Sequence, residues 1–124
     1  MAVCEVEQAV ERFGERYVRR ILAPAERTGA QPLTARALAG RVAAKEAVFK
    51  VLRPGPADPT PWTDVVVGRD ATGAPRIELA GHLARFAAAE GIQEVSVSIT
   101  YAGDYSAAAV VASVRPAHPG SPLT

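Results

Sequence analysis

Apolar residues recur at helical spacing through the start of the chain. Val6, Val10, Phe13, Tyr17 and Ile21 fall on one stripe, which predicts an amphipathic helix over Val3 to Leu22. Gly14 weakens its middle by about 1 kcal/mol relative to alanine, and Pro24 limits its extent. A polar connection runs from Arg27 to Pro32. A second helix is predicted to start at Thr34, a good N-cap residue, and to run through Leu38, Val42, Phe49 and Leu52. It must end before Pro54. Residues Pro54 to Pro61 hold four prolines and form a loop.

The period then changes. Trp62 to Gly68 is β-branched and reads as a strand, Asp70 to Ala74 has turn chemistry, and Arg76 to Leu79 is the returning strand of a hairpin. Gly81 to Glu90 reads as a short alanine-rich helix with Leu83, Phe86 and Ala87 inward, closed by Gly91. Val95 to Tyr101 alternates strictly between apolar and polar, as a half-buried strand does. Gly103-Asp104 turns the chain into a last strand, Tyr105 to Val114. The order α-α-β-β-α-β-β implies an α+β domain, with helices packed on a small, mainly antiparallel sheet. A single domain is expected over residues 1–114, and a disordered tail over 115–124, where Pro, His, Gly and Ser dominate.

Composition narrows the function classes. The chain has 124 residues, 48% of them hydrophobic and 22% charged, which is an ordinary globular balance. A formal net charge of +1 lacks the basic excess of a nucleic-acid binder. No apolar run approaches the roughly 20 residues of a membrane span, and no secretory signal is visible, so a cytoplasmic protein is expected. One cysteine, Cys4, excludes an internal disulfide and a cysteine-based zinc site. His82 and His118 have no second ligand at helical spacing, so neither suggests a metal. A small core with apolar strands favours self-association.

The basic residues are unevenly chosen. Of 14, 12 are arginine, and the two lysines, Lys45 and Lys50, flank Glu46 within six residues. On a helix Lys50 lies one turn beyond Glu46 on the same face, while Lys45 is about 100° around the axis. A carboxylate beside ammonium groups can share a hard cation such as Mg²⁺ with phosphate oxygens, which suits phosphoryl chemistry. The same residues also suit a plain solvated face with a Glu–Lys pair. Arg12, Arg16 and Arg20 repeat every fourth residue and make a basic stripe on the first helix, which again could be no more than a solvated surface.

Arg41-Val42-Ala43-Ala44-Lys45-Glu46-Ala47 closely resembles the signature of the holo-[acyl-carrier-protein] synthases, the small 4′-phosphopantetheinyl transferases. Other segments follow in the family's order: Arg12 to Tyr17, Ile21 to Glu26, Trp62-Thr63-Asp64, Gly73-x-Pro75, Gly81, Val97 to Tyr101 and Asp104 to Ala108. The resemblance covers residues 5 to 113. It implies transfer of 4′-phosphopantetheine from coenzyme A to a serine of an acyl carrier protein, of fatty-acid or polyketide synthesis, with Mg²⁺ as cofactor and a homotrimer with sites between protomers. It implies Glu46 as a metal ligand, and Lys45 and Lys50 as phosphate contacts. It also implies catalytic roles for Glu46 and Lys50, Lys50 neutralising charge on the pyrophosphate. Arg41 and Arg53 are expected to join them as coenzyme-binding residues; Arg53 stands where the family usually has glycine, and an arginine there could reach a phosphate or simply block the nucleotide. Tyr101, in place of the histidine of the family's Ser-His, is a further expected coenzyme contact. The family's first-strand Asp has no counterpart. Aligned on Ala2 to Glu7, Cys4 takes its place and Glu5 is the neighbouring carboxylate for the metal. Arg12, Arg16 and Arg20 are expected to dock the acidic carrier. The alternative is a non-catalytic carrier- or coenzyme-binding protein on the same scaffold.

Overall fold

The computed structural model describes residues 1–27, 33–55 and 60–115. Helix α1 spans Val3–Phe13 and α2 Glu15–Ile21. They replace the single first helix expected from periodicity. Gly14 takes φ 59° and ψ −136°, outside the helical region, so the chain turns there. Its N–H still donates to Val10 O, closing α1, while its carbonyl accepts from Tyr17 and Val18 to open α2. The break also moves Phe13 off the buried stripe. It is 50% exposed, with the Arg12 guanidinium 5.3 Å from its ring.

A 3-10 turn over Pro24–Arg27 occupies the start of the expected polar connection, the rest of which lies outside the described residues. Helix α3, Ala35–Leu52, begins as expected: the Thr34 hydroxyl accepts from Ala37 N–H. It ends on Arg53, whose φ of 51° is left-handed. Residues 56–59 of the proline-rich loop also lie outside the described residues.

Trp62–Asp64 forms a second 3-10 turn rather than the start of a strand. The Asp64 carboxylate accepts from Leu83 N–H and caps the next helix, which turns the segment away from strand geometry. Strands β1 (Val65–Arg69) and β2 (Pro75–Leu79) pair antiparallel, Val67 facing Ile77. Helix α4 spans Gly81–Ala89, and β3 (Ile92–Ala102) and β4 (Tyr105–Val114) form a second antiparallel pair. The strands therefore make two separate two-stranded ribbons instead of one sheet. The α+β class holds. Residues 116–124, most of the expected tail, lie outside the described residues.

Helix α3 organises the core. Its first half (Leu38, Ala39, Val42) packs with Val6, Ile21 and Leu22 of the amino-terminal helices. Its second half (Ala44, Val48, Leu52) packs with Val65, Val67, Ile77 and Leu83. Val95, Val97, Ile99, Ala108, Val110 and Ala112 close that second cluster from the long ribbon. The chain's start is tied to the same ribbon: Ala2 bridges Tyr105, and the Met1 amino group donates to Ser106 O at 2.8 Å.

Candidate active site

Helix α3 separates its charged residues by direction. Glu46 and Lys50 lie on its open side, 3.6 Å apart as an i,i+4 pair, with side chains 47% and 75% exposed. In water such a pair adds only about 0.3–0.5 kcal/mol to the helix, so its geometry leaves both groups free to meet a ligand. Arg53 follows one residue beyond the helix; it is exposed, its Nε reaching back to Lys50 O at 3.4 Å. These three charges form one accessible patch at the carboxyl-terminal end of α3.

Lys45 corrects the sequence reading. Its side chain has no exposed surface, and Nζ donates to Glu26 Oε1 at 2.6 Å, to Trp62 O at 3.2 Å and to Ile21 O. Burial pulls it below the ordinary lysine range, against the raising influence of Glu26. It is held inside the protein, away from any phosphate on the open face. Arg41, one turn earlier, is likewise engaged. Its guanidinium donates to Glu26 Oε2 at 3.3 Å and to Val67 O, and only 17% of its side chain is exposed. Tyr101 also has a packing role: its ring lies against Gly40 of α3, with the Arg36 guanidinium 4.8 Å above it.

Glu5 sits in the exposed first turn of α1, and Cys4 beside it is exposed on the same helix. Residues from Val3 onward are helical, so Ala2 to Glu7 does not form the strand on which the family's Asp would be carried. Among the described residues, no three His, Cys, Asp or Glu side chains converge as a metal cluster. Arg16 and Arg20 remain an exposed i,i+4 pair on α2, while the turn at Gly14 puts Arg12 on a different helix. Glu15, on the same short helix, pairs with Arg19 at 3.3 Å.

Sequence reasoning missed Glu26. It is buried in the 3-10 turn, and its two oxygens take Lys45, Arg41 and the Ala23 N–H. Its partners lie 15 and 19 residues away, beyond the reach of helical periodicity. A cleft of about 650 Å³ lies elsewhere, between β2, α4 and β3, and neither Glu46 nor Lys50 lines it.

A family profile described as the 4′-phosphopantetheinyl transferase superfamily matches residues 2–110. The chain is 40% identical over 115 residues to the holo-[acyl-carrier-protein] synthase of Halorhodospira halophila, covering 90% of each. The crystal structure of holo-[acyl-carrier-protein] synthase from Neisseria meningitidis superposes with a TM-score of 0.82 at 29% identity, over 91% of this chain and 92% of that one. The Helicobacter pylori synthase in complex with coenzyme A gives 0.76 at 27% identity, over 91% and 95%.

Proposed function

The chain belongs to the 4′-phosphopantetheinyl transferase superfamily, and on that premise we propose that it transfers the phosphopantetheine arm of coenzyme A to a serine hydroxyl of an acyl carrier protein. The serine oxygen forms a bond to the β-phosphorus as the diphosphate bridge breaks. 3′,5′-ADP leaves, and the hydroxyl proton passes to water. The observation that carries this reading is the Glu46–Lys50 pair, accessible on the open side of α3 while Lys45, the neighbour of Glu46 in sequence, is fully buried.

Mg²⁺ commonly takes one or two protein carboxylates, with substrate phosphates and water completing its shell. Glu46 is one half-exposed carboxylate, outside any cluster of three among the described residues, a donor set that fits a cation carried in on the diphosphate. Glu46 would hold that ion, and the ion would neutralise charge on the diphosphate when bound. Lys50 supplies an ammonium donor to the phosphate oxygens, and Arg53 extends the positive end of the patch. Arg16 and Arg20 draw the acidic carrier to α2.

No helix among the described residues is long and apolar enough to cross a membrane, and we place the reaction in the cytoplasm. We further propose a homotrimer. Tyr105 and Val111 are 64% and 69% exposed on the same outward face of β4, apolar groups suited to meeting other copies of the chain.

The test is incubation of an apo carrier protein with coenzyme A and magnesium, read by mass spectrometry. A mass gain of one phosphopantetheine arm is expected, and Glu46→Ala should abolish it. Equal loading by Glu46→Ala overturns this mechanism. Carrier binding with no mass gain would favour a non-catalytic binding protein instead.

A further inference from the structure

The geometry points to Glu26 and Lys45 as a positioning pair that aims Glu46 and Lys50 at the diphosphate, an inference that rests on the function proposed above. Lys45 and Glu46 are consecutive on α3, so whatever fixes the direction of one fixes the other about 100° away. The large apolar side chains that seat α3, Leu38, Val42, Val48 and Leu52, flank the turn carrying Lys45 and Glu46 but leave that turn's own direction loosely set. Ala39, Gly40, Ala43 and Ala44 are all buried, and such small side chains offer few ridges to lock a helix against rotation about its axis.

Directional bonds do set it. Lys45 Nζ reaches the end of α2 at Ile21 O, the first 3-10 turn at Glu26 and the second at Trp62 O. Arg41, four residues earlier on the same side, binds the other Glu26 oxygen and Val67 O of β1. Four segments thus grip one side of α3 through two cations and one carboxylate. Rotation that withdrew Lys45 would leave the fully buried Glu26 carboxylate without its closest counter-charge. Held in this way, the helix presents Glu46 and, one turn later, Lys50 to solvent.

The pair is buried away from the open face, so its effect must pass through Glu46 and Lys50. Residues that orient a metal-binding side chain typically change metal affinity or activity about 10- to 100-fold when replaced. The double variant Glu26→Gln/Lys45→Met replaces both charges by neutral groups of similar shape. It should bind coenzyme A in the presence of magnesium about tenfold more weakly by calorimetry. The same double replacement in a Glu46→Gln background should cause a much smaller further loss, because only Lys50 is then left to aim. A purely structural role would lower the melting temperature and weaken binding equally in both backgrounds. Glu26→Asp, which keeps the charge but shortens its reach, should fold and show a smaller loss.

Parental affinity in both folded variants, or equal losses with and without Glu46, overturns the inference alone. Failure of both variants to fold also overturns it, since the pair would then serve the fold itself. A parent chain that does not bind coenzyme A with magnesium overturns the function reading and this inference together.

Discussion

Gly40, in the middle of α3, lies directly against the phenol of Tyr101 on β3. A Cβ built on it would collide with the hydroxyl oxygen and stand 3.0 Å from Cζ. Glycine inside a helix costs about 1 kcal/mol relative to alanine, and here that cost lets the long ribbon approach the helix. Gly40→Ala should therefore destabilise the protein, because overpacking of about 1–3 kcal/mol outweighs the gain in helix propensity. Urea unfolding should show a net loss, and adding Tyr101→Phe should recover part of it by removing the closest atom.

Asp64 belongs to the Trp-x-Asp segment, and its carboxylate accepts from Leu83 N–H at 3.2 Å. It serves the amino terminus of α4, where free N–H groups and the helix dipole favour a negative charge. Asp64→Ala should cost about 1 kcal/mol, the usual value of a lost cap. Hydrogen exchange should speed up first at the amides of α4.

Arg53 takes a left-handed conformation that favours glycine. Arg53→Gly should raise stability by up to about 1 kcal/mol, the strain relieved less the added freedom of the unfolded chain. If Arg53 also serves the coenzyme, the same variant should bind coenzyme A several-fold more weakly. Thermal unfolding and calorimetry on one preparation would show the two effects with opposite sign.

The turn at Gly14 divides the basic stripe. Reversing Arg16 and Arg20 together to glutamate should slow carrier association about tenfold or more at low ionic strength, with the difference shrinking as salt is added. Arg12→Glu, on the other helix, should have a smaller effect. Stopped-flow measurement across a salt series separates these outcomes.

Asp70 Oδ1 accepts from the Thr72 hydroxyl and from the Thr72 and Ala74 N–H groups, which hold its carboxyl below the ordinary carboxylate range, the Thr72 hydroxyl contributing most. The folded state therefore binds this proton less readily than the unfolded chain. The associated stability is complete above the unfolded value and is lost as pH falls through the folded one. Thermal unfolding between pH 7 and pH 3 should decline less steeply for Asp70→Asn than for the parent.

Local chemistry in the sequence marked most elements. The Thr34 cap, the Asp70 turn and the alternation of Val95 to Tyr101 act within a few residues, so they could be read directly. Gly14 could be read as a weak point but not as a break, because its φ depends on how α1 and α2 each seat on α3. The open half of the site was legible from the spacing of Glu46 and Lys50. The fate of Lys45 was not. Helix α3 is buried on several sides, so its apolar pattern does not single out an outward face, and the carboxylate that receives Lys45 comes from a distant turn. Trp62, expected to open a strand, instead sits in a 3-10 turn and is partly buried edge-on against Phe49, with ring centroids 5.5 Å apart.

The opposite fates of the two lysines make this chain convenient for covalent footprinting. An acylating reagent meets one accessible lysine amine, since Lys45 is sealed inside and Lys50 is three-quarters exposed. That amine neighbours Glu46, so its modification rate reports on occupancy at the centre of the patch without an introduced label.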